Sequence, residues 1–214
     1  YGQIIPSKIL SLAKKGFINV HASLLPKWRG AAPIQRSIMN LDRKTGISIM
    51  KINEKLDSGP ICNTYSLDIL NTDNAKIISE KLSKIAAEKI LDNIDDILDG
   101  KADFKNQLNE KATYANKIEK KEGKINWNDF AEKIIGKING LYPSPGAWFT
   151  YKGERYKILK AEVGNSHGEF GNVLSNDLEV YCKDKSIKIL EIQREGKKIQ
   201  NINEFKPGSK IKIG

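Results

Sequence analysis

The feature that most constrains this chain is residues 17–33, FINVHASLLPKWRGAAP, taken with Leu56-Asp57-Ser58-Gly59 further on. Phe17, Ile18 and Val20 form a short apolar run that turns at once into polar sequence punctuated by Pro and Gly, as a buried strand does at its carboxyl end. Open α/β sheets keep their chemistry at that end. Asn19 and His21 stand two apart, so on an extended segment both side chains leave one face. An amide donor and a titratable imidazole then point into a common crevice. By itself the pair has an equally ordinary structural reading, a satisfied histidine beside a strand.

The longer string carries more. Asn19-Val20-His21-Ala22-Ser23-Leu24-Leu25-Pro26, then Arg29-Gly30-Ala31-Ala32-Pro33-Ile34-Gln35, then Leu56-Asp57-Ser58-Gly59 together resemble the active-site signature of the 10-formyltetrahydrofolate-dependent formyltransferases. The continuation from Trp28 through Gln35 is most similar to the branch of that family whose acceptor is methionyl-initiator tRNA. The resemblance implies Asn19, His21 and Asp57 as the catalytic set, and Ser23, Leu24, Leu25 and Pro26 as the stretch that contacts folate. It implies 10-formyltetrahydrofolate as formyl donor, no metal, and an α/β fold: a partial Rossmann-like formyltransferase domain followed by an OB-like β-barrel that binds tRNA.

The chemistry asks for such groups. Formyl transfer to an amine passes through a tetrahedral centre whose oxygen becomes an oxyanion, and an Asn amide is a suitable donor to it. The attacking amine must also shed a proton, which His21 can take or, charged, offset. Asp57 can orient the imidazole, favour its protonated form or hold a relaying water. Without the resemblance, Asp57 in an Asp-Ser-Gly context also reads as a turn cap. Trp28 and Arg29 read either as contacts to the acceptor end of tRNA or as solvated loop.

Along the chain, residues 6–13 read as a short helix opened by Pro6 and stopped at Gly16. Pro33 opens a second helix to about Leu41. Residues 46–52, GISIMKI, alternate with period two and predict a strand buried on one side. Residues 61–69 read as extended. Between Thr72 and Leu98, apolar residues recur at helical spacing until Gly100. The formyltransferase domain is therefore expected over 1–104, its carboxyl-terminal part. A sheet of this kind needs about 30 residues for each βα unit, so roughly three further units, on the order of 90 residues, are expected ahead of Tyr1.

From Lys101 the apolar pattern gives way to Lys, Asn and Glu, which predicts a linker over 105–122. Lys117, Lys120 and Lys121 can hold acceptor-arm phosphates there, although Glu119 and Glu122 interleave with them and a salt-laced solvated segment reads equally well. Over 123–214, Asn128 is expected to cap a helix with Phe130, Ala131, Ile134, Ile135 and Ile138 on one face. Short strands follow at 147–151, 155–163, 170–174, 178–182 and 187–193, with Lys152-Gly153 and Asn176-Asp177 as turns and a closing run at 211–213. Such a series predicts a small antiparallel barrel of the OB type.

Composition sets the outer bounds. The chain has 214 residues, 39% apolar and 29% charged, with no apolar run near the roughly 18 residues of a membrane span. A cytoplasmic monomer is expected, with no membrane partner. Cys62 and Cys182 lack partners at metal spacing and read as inert thiols. The net charge of +10 suits a nucleic-acid partner, yet both halves are basic and the excess is mostly Lys in an Ile- and Asn-rich sequence. Two other functions stay open: a sibling enzyme acting on an amino-sugar nucleotide or other small amine, and a non-catalytic RNA-binding relative. The linker and barrel oppose the first, and intact Asn19, His21 and Asp57 oppose the second.

Overall fold

The computed structural model describes residues 5–175, 177–209 and 211. The sequence readings at residues 1–4, Asn176, and residues 212 and 213 lie outside the described residues. Two compact units are present: one takes in the chain up to Ser37, Asp42–Asp73 and Ile77–Lys117, and the other Ile38–Leu41, Asn74–Lys76 and the chain from Ile118. No helix among the described residues is long and apolar enough to cross a membrane.

The first unit begins with the short helix α1 (Ser7–Leu10) and the strand β1 (Ile18–His21). A two-residue strand β2 (Arg29–Gly30), helix α2 (Pro33–Met39) and the strands β3 (Lys44–Lys51) and β4 (Ile61–Asp68) follow. Helix α3 (Ala75–Asp99) buries Ile78, Leu82 and Ile97, the spacing that predicted it. β3 is central, with β1 and β4 on either side, and both pairings are antiparallel. A Rossmann-like sheet is built mainly of parallel strands, yet this three-stranded sheet has no parallel pair among the described residues. β3 is also not buried on one side only, because six consecutive residues from Thr45 to Met50 are buried. Small Gly46 and Ser48 occupy the face opposite Ile47 and Ile49, which lets other chain segments press on it. A Cβ on Gly46 would stand 2.2 Å from the Tyr65 carbonyl oxygen and 2.5 Å from Leu24 Cδ2.

The segment read as a linker is largely laced into this unit. Lys105 exchanges backbone hydrogen bonds with Ile61, each 2.9 Å. β5 (Tyr114–Ala115) pairs in parallel with β2, and the Ala115 oxygen would lie 2.7 Å from a Cβ on Gly30, whose φ is +124°. Arg36 donates to the carbonyls of Asn116 and Lys117. The partners are distant in sequence, Arg36 and Asn116 by 80 residues, so no local pattern announces them.

In the second unit helix α4 (Ala131–Gly140) lies beside strands β6 (Ala147–Tyr151), β7 (Glu154–Gly164), β8 (Glu179–Tyr181), β9 (Ser186–Arg194) and β10 (Ile199–Asn201), with a one-turn helix α5 (Ile202–Phe205) after them. Ile134, Ile138, Ile158, Ile187, Ile189 and Ile192 form the centre of its core. β6 and β7 make a hairpin through Lys152 and Gly153, both at positive φ, the backbone that matches strand twist.

All pairings in this sheet are antiparallel, in the order β10-β9-β7-β6, with β8 sharing with β10 the edge of β9. Among the described residues no pairing of β6 with β8 or β10 closes it. The strand expected at 170–174 reduces to a single bridge between Val173 and Val180. β10, too polar to be noticed in the sequence, pairs elsewhere, with residues 191–193 of β9.

Asn128 does not cap α4. The Ala131 N–H donates instead to the Asp184 carboxylate, 2.8 Å away and 53 residues later, and Phe130 is half exposed rather than core. Cys182 is fully buried, and burial with Asp184 nearby pushes its thiol up to about 12, whereas half-buried Cys62 is raised chiefly by burial. Both favour the unreactive protonated form at neutral pH.

Candidate active site

β1 ends where the sequence turns polar, and its last residue is His21. Asn19 and His21 lie opposite Met50 and Ser48 of β3, two positions apart on one face of the strand. The loop that follows is tied down by β3 itself. Ser48 Oγ donates to the Ser23 carbonyl at 2.7 Å and accepts from the Leu25 N–H at 3.1 Å. Ser23, wholly buried, donates its hydroxyl to the Lys27 carbonyl at 2.6 Å. Its side chain is therefore spent inside the loop. Leu25 is buried as well, while Leu24 and Pro26 keep partial exposure.

His21 is only 7% exposed, and its Nε2 lies 2.9 Å from the Trp28 carbonyl. A carbonyl only accepts, so Nε2 carries the hydrogen. Nδ1 faces Asp57 Oδ2 at 3.6 Å. With the ring protonated, both N–H groups look toward acceptors. The Asn19 amide makes no hydrogen bond with the described residues, which leaves its donors for a ligand.

Asp57 is held from two directions. Its Oδ2 accepts the Gly30 N–H at 2.8 Å, and its backbone has φ +44°, the left-handed region that non-glycine residues seldom take. Gln107 Nε2 donates to the carbonyls of Asp57 and Gly59, at 2.9 and 2.7 Å. Arg29 Nε and Nη2 in turn donate to Gln107 Oε1, and Nη2 also to Asn109 Oδ1 at 2.9 Å. Beside this loop opens a groove of about 730 Å³ whose lining includes Arg29, Asn53, Lys55, Leu56, Asn109 and Tyr114.

The structure thus brings Asn19, His21 and Asp57 together and gives Arg29 a different place from either sequence reading. Arg29 is 4% exposed, with its guanidinium engaged inside the unit, so it offers no free charge to an incoming phosphate. Trp28, at φ +63°, donates its indole N–H to Asp42 Oδ2 at 2.7 Å. Lys117 is exposed in the first unit, and Lys120 and Lys121 are exposed in the second. Lys121 pairs with Glu119 at 2.7 Å, which raises its pKa. Sequence reasoning missed Gln107 and Asn109. They sit in a polar Asn-Gln-Leu-Asn run with no periodicity, and only the tertiary fold carries them to Asp57.

Comparison with known proteins gives the family. Residues 1–94 match the family model described as formyl transferase, and residues 117–210 match the one described as formyl transferase, C-terminal domain. Methionyl-tRNA formyltransferase of Pelagibacter ubique is 68% identical over 99% of this chain and 68% of its own length. The enzyme of the same name from Thermodesulfovibrio yellowstonii is 45% identical over 100% of this chain and 70% of its own. Among solved structures, HypX from Aquifex aeolicus superposes with a TM-score of 0.71 at 17% identity, covering 94% of this chain and 38% of that one. Methionyl-tRNA formyltransferase from Clostridium thermocellum superposes with a TM-score of 0.58 at 26% identity, over 76% and 69%. The chain belongs to the formyl transferase family, among the methionyl-tRNA formyltransferases.

Proposed function

We infer that this protein transfers the formyl group of 10-formyltetrahydrofolate to the amino group of methionyl-initiator tRNA, the modification that marks the tRNA for translation initiation. The observation that carries the site assignment is the unpartnered Asn19 amide on the same strand face as His21, with Asp57 facing the ring at 3.6 Å. The donor set fits a formyl group: one free amide donor, with an imidazole held by the Trp28 carbonyl and a carboxylate held by the Gly30 N–H.

Asn19 donates to the formyl oxygen as negative charge gathers on it. Such a donor does more in the transition state than in the ground state. His21, with Nε2–H committed to the Trp28 carbonyl, handles the amine proton through Nδ1, and Asp57 stabilises the ring while it is charged. Of the folate-contacting stretch, Leu24 and Pro26 supply side-chain surface, whereas Ser23 and Leu25 act by holding the loop's backbone against β3. The first unit is read as part of a Rossmann-like catalytic domain over residues 1–104. The second, over 123–214, is read as an OB-like tRNA-binding domain whose exposed lysines meet the acceptor arm together with Lys117, in a monomer of the cytoplasm.

Single-turnover formylation with 10-formyltetrahydrofolate and methionyl-initiator tRNA tests the reading. His21→Ala should slow the step by about 10²- to 10⁴-fold with folate affinity nearly unchanged. Equal rates remove His21 from the chemistry. Transfer to an amino-sugar nucleotide but not to tRNA moves the chain to a sibling activity, and binding of tRNA without any transfer makes it a non-catalytic relative.

A further inference from the structure

Asp57 bears the carboxylate that faces His21, yet its own backbone conformation is one that L-residues resist. Even for aspartate, which takes the left-handed region more readily than most L-residues, that backbone is the minority conformation and is held by its neighbours. The turn from Asp57 to Gly59 must therefore be gripped from outside.

Gln107 is the residue placed to do so. Its amide NH₂ spans the carbonyls of Asp57 and Gly59, on either side of Ser58. The assignment of oxygen and nitrogen in that amide is forced: two carbonyls accept only, and the Arg29 guanidinium donates only. Reversing the amide would set its oxygen against two carbonyl oxygens and its NH₂ against Arg29. Arg29, buried and fixed also by Asn109, thus locks the orientation of Gln107. The chain of contacts runs from Arg29 through Gln107 to the Asp57 backbone, and from the Asp57 carboxylate to His21.

We propose that Gln107 is a positioning residue for formyl transfer, setting the Asp57 carboxylate against His21 by clamping the left-handed turn, with Arg29 fixing the clamp's polarity. The proposal rests on the formyl-transfer reading above. Gln107 touches no reacting atom. Its effect belongs to the rate of the step and not to the binding of either substrate, since a displacement near 1 Å at the site can cost about 10²-fold.

Gln107→Glu is the sharpest variant, because it keeps side-chain length and an acceptor for Arg29 but replaces the two donated hydrogens with lone pairs. In the full-length enzyme, kcat should fall roughly ten- to hundredfold while KM for both substrates stays within about twofold. In an Asp57→Asn background the same change should alter kcat less than about twofold, because the group it positions is already gone. Independent of turnover, deuterium uptake by the peptide spanning residues 53–60 should accelerate while the melting temperature holds. Gln107→Met, similar in volume and without charge, should reproduce the loss.

An unchanged kcat, a change confined to KM, or the same loss in both backgrounds would overturn the proposal. So would the loss of a cooperative melt in both Gln107 variants, which would make the residue structural only. Failure of the wild-type enzyme to transfer formyl would sink the functional reading alone, and unchanged deuterium uptake would then still reject the clamp.

Discussion

The two units differ in what they bury. Eight of the buried polar residues, His21, Ser23, Arg29, Ser37, Thr45, Ser48, Asp73 and Asn93, lie in the first unit, and two, Glu179 and Ser186, lie in the second. The second instead concentrates a continuous apolar cluster around α4, β7 and β9. A buried polar group must find a partner or lose more than its bond is worth. The first unit therefore orients groups through interlocking hydrogen bonds, with Thr45 Oγ1 the exception among its described buried side-chain oxygens and nitrogens; left-handed non-glycine backbone occurs in both units, at Trp28 and Asp57 in the first and at Leu41, Lys152 and Leu178 in the second. The second unit orients little and excludes water well. Precision in one region and cohesion in the other come from different kinds of burial.

The largest expected effect tests cohesion. Ile189→Ala, at a site 1% exposed, should lower stability to urea by about 2–5 kcal/mol through lost burial and a residual cavity. The rate of a single turnover, measured where the variant is fully folded, should scarcely move. A fallen rate in the folded variant would mean that the two kinds of burial are not separable.

Next comes the unpartnered donor of the first unit. Asn19→Ala should slow transfer by about 10²- to 10³-fold, or roughly 2.7–4 kcal/mol, and Asn19→Asp should be slower still because it sets a carboxylate beside the nascent oxyanion. Melting curves should barely change. An Asp variant as fast as the Ala variant would refute the donor role.

Arg29→Met removes a buried cation whose hydrogen bonds are charge-assisted, leaving Gln107 Oε1 and Asn109 Oδ1 without their donor. A loss of about 2–3 kcal/mol of stability is expected in chemical denaturation, with tRNA affinity in filter binding unaltered. Weakened tRNA binding at unchanged stability would return Arg29 to the role of an acceptor contact.

The smallest effects concern surface charge, which both units carry. Replacing Lys117, Lys120 and Lys121 with Ala should leave the melting curve unmoved, since they are exposed and the Lys121–Glu119 pair is worth little in water. If these lysines meet phosphates, the log-log salt dependence of tRNA affinity should lose about two to three units of slope. Superimposable slopes would leave them as solvated charges.

Some elements were legible because their signal is local. The helix at Ala75–Asp99 follows from apolar spacing, and the hairpin through Lys152-Gly153 from turn chemistry. Other readings failed where a distant group supplied what sequence neighbours were expected to give. The amino end of α4 is satisfied by Asp184 and not by Asn128. The strand expected at 170–174 shrinks to one bridge with β8, and the unforeseen β10 pairs with β9, its short polar run offering no alternating apolar pattern to read.

The candidate site divides in the same manner. Asn19 and His21 share a face because residues two apart in any strand do, and the loop after them must turn because Pro and Gly stand in it; that much the sequence determined unaided. The approach of Asp57 to His21, the burial of Arg29 and the grip of Gln107 on a turn 50 residues away were decided only by the tertiary structure. Periodicity encodes which way a side chain leaves its own backbone. It carries no record of which remote donor will meet a given carbonyl, because that depends on packing the whole unit at once.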